Sequence, residues 1–516
     1  MKKPMHQAGR SESRSTLLPN DACDAELLAN VWPPDWINPQ PAPSYNLVVV
    51  GAGTAGLVTA AGAAALGARV ALVEKNLLGG DCLNVGCVPS KSILRSARFY
   101  TDLQQAPRYT GSSPVPSDLD FAAVMERMRR LRARISRHDS VRRFTALGVD
   151  VFLGDAAFID HRTVGVAGAT LRFQKAVVAT GSRPARPSVE GLEAADYLTN
   201  ETVFNLTERP GRLLVIGGGA LGCELAQAFA RLGCQVTIAN QERYLLPGEE
   251  RDAAEILADA LRRDGIEVRL NTEVKSVTLE NGEKRVRLVN DNQETTVTVD
   301  QILAGVGRLP NVEGLNLEAA GVAYDHQHGV HVNDFMQTRN RRIYAAGDVA
   351  LARKFTHMAD ATARIVIQNA LFWGRKRLSS LTIPWCTYTD PEIAHVGIYV
   401  KDAKELGFPL KTFTVPMSDV DRAVLDGEDE GFVKIHVREG SDTILGATIV
   451  ARHAGEMINE ISLAMVAGIG LKTVSQVIHS YPTQAEAIRK AGDAYNRTRL
   501  SPFLKALSRR WLAWSR

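Results

Sequence analysis

Apolar and polar positions follow two rhythms along the chain, one of strand period and one of helix period. From Val48 to Lys75 (VVVGAGTAGLVTAAGAAALGARVALVEK) an apolar run of strand length leads into G-x-G-x-x-G, then a segment of helical length, then a second apolar run. Leu214 to Gln241 (LVIGGGALGCELAQAFARLGCQVTIANQ) repeats the pattern. In both copies the second strand ends the same distance after the first glycine, Gly51 to Glu74 and Gly217 to Asn240. One such motif is weak evidence. Two copies, each set between strand and helix, predict two dinucleotide-binding units. The glycines permit a tight turn and let backbone amides approach a pyrophosphate at the helix N-terminus.

Other stretches carry simpler patterns. Residues 82–147 have a helical period, with Phe121, Val124, Met125, Met128, Leu131 and Ile135 as the predicted apolar stripe. The arginines crowded between Arg127 and Arg143 are expected on a solvated helix face rather than at an acidic-partner site. Residues 148–180 and 266–303 alternate as strands, with a hairpin turn predicted at Asn281-Gly282. From Thr382 to Tyr495 strands mix with helices, which predicts a separate α+β unit. Residues 1–44 are rich in proline near their end (Pro33, Pro34, Pro39, Pro41, Pro43) and are expected to be extended leader. The tail Ser501–Arg516 is a basic amphipathic helix candidate, with Phe503, Leu504, Leu507, Trp511 and Trp514 on one side. It is expected to pack on the protein itself rather than on a membrane surface.

Composition narrows the class. With 516 residues, 45% apolar and 23% charged, the chain suits several ordinary globular domains and excludes a disordered or fibrous protein. Lys+Arg of 61 against Asp+Glu of 57 leaves +4, so no bulk field favours nucleic acid. Six cysteines are too few for a secreted disulfide scaffold and suit a reducing compartment. The basic start MKKP has no apolar run behind it, which argues against a secretory signal. The expected location is therefore cytoplasmic. The uncharged stretch from Leu47 to Ala68 is long enough to span a bilayer, but its glycines suit the dinucleotide turn better.

The candidate chemistry lies in GGDCLNVGCVPSK, Gly79 to Lys91. Cys82 and Cys87 sit five apart, a spacing that rises roughly 7.5 Å in a regular helix. Disulfide Cα atoms normally lie within about 7 Å, so a bridge needs a local distortion, which Gly86 can supply. A helix start there favours thiolate. The pair alone leaves a metal site and a redox pair both open; the absence of a companion pair or nearby histidine disfavours metal.

GGDCLNVGCVPSK, preceded by GAGTAG and followed by ATG, GGGALG and AAGD, resembles the flavoprotein disulfide reductases, the class I pyridine nucleotide-disulfide oxidoreductases, over about residues 45–495. The resemblance implies an α/β fold with two Rossmann-like domains, for FAD and NAD(P), and a C-terminal α+β dimerisation domain. It divides the chain into a leader (1–44), FAD-binding parts (45–185 and 311–380), an NAD(P)-binding domain (186–310), a dimerisation domain (381–500) and a tail (501–516). Gly51, Gly53 and Gly56 would hold FAD pyrophosphate and Glu74 the adenosine ribose. Thr180, Gly181, Gly347 and Asp348 match further FAD motifs. Gly217, Gly219 and Gly222 would hold the nicotinamide nucleotide, and Gly307 belongs to a motif closing that domain. Asn240 stands where a ribose-binding carboxylate is usual, which favours NADPH over NADH. Lys91 would reach the flavin and pair with Glu224. Cys87 would lie nearer the ring, and Cys82 would exchange with substrate.

One segment departs from the disulfide-substrate members. HSYPTQAE, His479 to Glu486, has Tyr481 where they carry a catalytic histidine, with Glu486 in the carboxylate's place. Tyrosine is a poor base near neutrality. His479 is the weaker substitute. Tyrosine here resembles the mercuric reductase branch, although no cysteine follows Cys386. Cys223, Cys234 and Cys386 are expected as packed small residues. The expected protein is a homodimer, because the Tyr481–Glu486 segment would complete the partner's site, and its acceptor is a small molecule or metal ion. The alternatives are a dihydrolipoamide-dehydrogenase-like NADH enzyme and a redox-sensing or metal-binding flavoprotein without turnover.

Overall fold

The computed structural model describes residues 17–111 and 119–516. Both glycine-rich repeats form strand–turn–helix–strand units. The first has strand Tyr45–Val50, helix Thr54–Ala65 and strand Val70–Glu74. These strands pair in parallel, with Val48 opposite Ala71, in a seven-stranded sheet. Strands Val149–Leu153 and Ala169–Val178 flank them, and Ile343–Ala345, far along the chain, pairs in parallel with the latter. The strands read as continuous apolar runs because helices or loops cover both faces. Leu47 and Val49 pack into one core, Val48 and Val50 into another, as the period of two requires.

The second repeat forms strand Arg212–Ile216, helix Ala220–Arg231 and strand Gln235–Ala239, in a four-stranded parallel sheet completed by Glu267–Arg269 and Gln301–Ala304. A three-stranded antiparallel sheet follows, Thr272–Glu280, Glu283–Asn290 and Gln293–Val299. Its first turn is at Asn281 and Gly282, with φ of 52° and 84°, the paired positive values of the predicted hairpin. Beyond Pro384, five antiparallel strands pack against helices Ala454–Val466 and Glu486–Thr498.

The turn geometry explains the glycine spacing. Gly51 has φ +102°, and a Cβ there would lie 2.4 Å from the Ala179 carbonyl oxygen. A Cβ on Gly56 would lie 1.8 Å from the Gly51 carbonyl oxygen, so glycine alone lets helix and strand approach this closely.

Three expectations change. The leader is not extended throughout: Ala22–Val31 is a helix, capped by the Asp21 side chain and buried through Leu27 and Val31. The arginine run is not wholly solvated. Arg129 and Arg132, on helix Phe121–Ser136, are buried against that leader, pairing with Asp21 (2.7 Å) and Asp24 (2.9 Å). The predicted stripe is correspondingly rotated, with Arg132 buried and Ile135 39% exposed, because the leader helix covers a face that local hydropathy marks as polar. The tail forms helix Pro502–Trp514, but every residue from Pro502 to Arg516 is exposed, so within one protomer it packs on nothing. Among the described residues no helix is long and apolar enough to cross a membrane.

Candidate active site

Cys82 lies in the short helix Gly80–Asn84, and Cys87 opens the helix Cys87–Gln105. Gly86 breaks the path between them; a Cβ there would come within 2.8 Å of the Asp81 carbonyl oxygen. The distortion that a regular helix denies is thus present. Both cysteines are thiols in this structure. Cys82 donates a hydrogen bond to Cys87, and that bond, with help from the Thr356 hydroxyl and the Lys91 charge against the opposing effect of burial, pulls the Cys87 pKa down to about 6. The same bond, with burial, pushes Cys82 far above the ordinary thiol range. Of the two sulfurs, Cys87 at the helix N-terminus is therefore the one favoured as thiolate. Thr356 Oγ1 lies 3.3 Å from Cys87 Sγ.

Lys91, one helical turn after Cys87, meets Glu224 at 2.7 Å. Burial works against its ammonium, but the Glu224 carboxylate outweighs it and raises the Lys91 pKa. Glu224, buried on the second repeat's helix, also accepts from the Tyr388 amide at 2.8 Å, and Lys91 Nζ sits 4.7 Å over the Tyr388 ring. One carboxylate thus joins the cysteine helix, the second nucleotide unit and the start of the C-terminal sheet.

The first fingerprint suits a pyrophosphate. Gly53 begins its helix with no side-chain cap, and a Cβ on Gly80 would lie 2.7 Å from the Gly53 Cα, so two glycines form a cradle that any side chain would fill. Glu74, buried beneath the turn, accepts from the amides of Ala52 (2.6 Å) and Asn76 (2.8 Å). Thr180 donates to the Asn311 carbonyl at 2.7 Å, and Gly181 accepts from the Asn311 amide. Asp348 accepts from Ser182 at 2.7 Å. In the second fingerprint, Gly219 likewise begins its helix uncapped, and a Cβ on Gly222 would lie 2.3 Å from the Gly217 carbonyl oxygen. Asn240 takes the place of Glu74: its Oδ1 accepts from the Gly218 amide at 3.0 Å, while its Nδ2 donates to the carbonyls of Glu242 and Tyr244. Gly307 has φ +106°, and the adjacent Arg308 pairs with Asp81 and donates to Ser182.

Tyr481 and Glu486 stand apart from this group. Tyr481 is 70% exposed and donates to Asp421 at 2.8 Å; Glu486 is buried and accepts from Arg489. Glu486 Oε2 is buried without a hydrogen-bond partner. His479 is engaged by Glu460 (2.9 Å), not Glu486. Among the described residues no hydrogen bond or ion pair joins Tyr481 or Glu486 to the cysteine pair of the same protomer. Among the described residues no cluster has the makings of a metal site. Cys223 and Cys234 are buried as expected, and Cys386 is partly so.

Two glycine-rich turns suited to dinucleotides, beside a close cysteine pair, are the arrangement expected of a flavoprotein thiol oxidoreductase. The chain belongs to the pyridine nucleotide-disulphide oxidoreductase family, whose description matches residues 45–364; its dimerisation domain matches residues 383–492 and supports a homodimer. The family supports FAD as the cofactor. Relatives include a mercuric reductase of Staphylococcus aureus, 33% identical over 453 residues (88% of this chain, 83% of that protein). A dihydrolipoyl dehydrogenase of Thermus scotoductus is 34% identical over 465 residues (88% and 98%). Among solved structures, the HOCl-induced flavoprotein disulfide reductase RclA of Escherichia coli superposes with TM-score 0.77 at 27% identity, covering 87% of this chain and 99% of that one.

Several neighbours of the site carry no signal in the sequence pattern. Thr356 comes from a helix more than 260 residues away. Arg132 Nη1 donates to the Asn84 carbonyl at 3.0 Å and Asn200 Nδ2 to the Val85 carbonyl at 3.1 Å, bracing the turn between the cysteines. Tyr388 was legible only as part of the C-terminal unit.

Proposed function

We propose that the chain is an NADPH-dependent flavoprotein that reduces its own Cys82–Cys87 disulfide and passes the electrons to a thiol-reactive acceptor, in the manner of a mercuric reductase. The observation that carries this reading is the cysteine pair, one sulfur favoured as thiolate and the other protonated beside it. We assign FAD binding to residues 45–185 and 311–380, nicotinamide binding to 186–310 and partner contact to 381–500. Bound FAD supplies the two-electron relay between nicotinamide and sulfur.

In this reading the glycines Gly51, Gly53 and Gly56 cradle the pyrophosphate, Glu74 takes the adenosine ribose and Asp348 the ribityl chain, with Thr180 and Gly181 shaping the adjoining turn. Lys91, fixed by Glu224, holds positive charge beside the ring. Cys87 faces the ring, and Cys82 exchanges with the acceptor. Gly217, Gly219, Gly222 and Gly307 shape the nicotinamide nucleotide site. Asn240 removes a carboxylate that would repel a 2′-phosphate. Arg243 and Arg251 both lie over the Tyr244 ring, 5.6 and 5.2 Å from its centroid, and add positive charge near that position. Tyr481 and Glu486 complete the site of the partner subunit.

The test is anaerobic NADPH reduction of the purified protein, followed by turnover with the acceptors Hg²⁺, lipoamide, glutathione disulfide and quinones, and a separate assay with dihydrolipoamide as donor to NAD⁺. NADPH-dependent consumption of Hg²⁺ is expected. A second reading, a dihydrolipoamide-dehydrogenase-like enzyme, draws support from the Thermus relative, which matches over nearly its whole length. Fast dihydrolipoamide oxidation would establish it instead. Failure of NADPH to bleach the flavin would leave a sensor without turnover.

A further inference from the structure

The C-terminal helix Pro502–Trp514 is unlike every other long helix of the described chain, because none of its residues is buried. It is capped by Ser501, whose hydroxyl accepts from the Leu504 amide, and begins with Pro502 at the first turn, so its start is specified locally. At 100° per residue, Phe503, Leu504, Leu507, Trp511 and Trp514 fall within roughly a third of the circumference. Their exposures run from 44% to 80%. Trp511 and Trp514 are neighbours, with ring centroids 5.5 Å apart and planes tilted by 52°. Lys505 and Arg509 lie on the opposite side together with exposed Leu512, Arg510 lies at the border, and Arg516 follows the helix end; Ser501–Arg516 contains no acidic residue.

We propose that this helix lies flat on an anionic lipid surface and holds the enzyme there. The charge decides the occupant. Four cations without a single carboxylate complement a surface of negative headgroups, whereas a second copy of the same helix would bring like charges together. Tryptophan and phenylalanine beside arginine suit the boundary between headgroups and acyl chains. Subunit contact does not need the tail, because the dimerisation region at residues 383–492 offers its own exposed apolar residues, Leu463, Val466 and Ile478. Thirteen residues span roughly 20 Å along the axis, too short to cross a bilayer, so the helix rests in the interface.

The experiment uses the full-length holoprotein and sedimentation with phosphatidylcholine vesicles, with and without phosphatidylglycerol. Partition into the phosphatidylglycerol vesicles at low salt is expected to exceed that into pure phosphatidylcholine by about tenfold or more, and to fall as salt is raised. Trp511→Ser/Trp514→Ser and Arg509→Glu/Arg510→Glu are each expected to lose at least about tenfold in partition while keeping flavin absorbance and elution volume. The proposal is overturned if the anionic vesicles bind no better than the neutral ones, or if neither variant changes binding. It is equally overturned if the lipid-free protein forms a larger assembly that the tryptophan variant dissolves, since the occupant is then a second copy.

Discussion

Replacing Asp24 by asparagine tests how the leader is held. Asp24 and Arg132 have side chains 0% and 1% exposed, and their 2.9 Å contact is the innermost link between leader and body. Asparagine keeps the shape but leaves a buried guanidinium without its carboxylate, a change that costs about 3–5 kcal/mol where the pair is fully enclosed. Opening the leader lets Arg132 reach water, at the cost of exposing Leu27 and Val31, both fully buried and together worth about 3–6 kcal/mol. In the wild type both contributions oppose opening; in Asp24→Asn the ion-pair contribution is gone. At 1.4 kcal/mol per factor of ten, the open population should rise about 100- to 4,000-fold. Limited proteolysis under conditions where cleavage tracks that population, with mass spectrometry of the new N-termini, reads this directly. Removing both partners, as Asp24→Asn/Arg132→Met, should restore much of the protection, because no buried charge remains unpaired. An acceleration below about tenfold, or a double variant more labile than the single one, would refute the reasoning.

Three further outcomes are expected. Cys82→Ser should keep the long-wavelength absorbance of a thiolate beside the flavin, and Cys87→Ser should abolish it; the reverse pattern in the spectrum would exchange the two roles. Because the folded Cys87 pKa, about 6, lies below the ordinary thiol value of 9.0, its thiolate contributes stability that is fully present above pH 9 and is lost as pH falls through 6. The absorbance of the reduced enzyme should fade over the same range, and a band unchanged down to pH 5 would contradict this. Asn240→Asp should lower the ratio of kcat/KM for NADPH to that for NADH by about tenfold or more, since it places a carboxylate near the 2′-phosphate and sets it against the carbonyls of Glu242 and Tyr244.

The parts of the site that lie in one continuous stretch were legible in the chain. Both fingerprints, the turn at Gly86 and the pairing of Lys91 with Glu224 follow from motifs whose backbone requirements are local or carried by the resemblance. What escaped depends on contacts between distant segments. The leader helix is short and locally flanked by prolines, and only the buried arginines of Phe121–Ser136 reveal that it docks. Those arginines look solvated in a hydropathy pattern, because a buried charge is invisible until its partner is known. Thr356 stands in an ordinary helix start, and nothing in its neighbours marks it as reaching the sulfurs. The seat of the tail was not legible for another reason: an amphipathic pattern shows that a helix has an apolar side, not what covers it.

The docked leader also sets a timetable for biosynthesis. A ten-residue helix is too short to persist alone in water, yet its anchors, Arg129 and Arg132, are translated roughly a hundred residues later. At ribosomal speeds the N-terminal segment waits on the order of 5–20 s for its seat. During that interval Leu27 and Val31 are open to chaperones and proteases, so slow synthesis through the stretch that leads to Arg132 would lengthen the exposure of this segment of the nascent polypeptide.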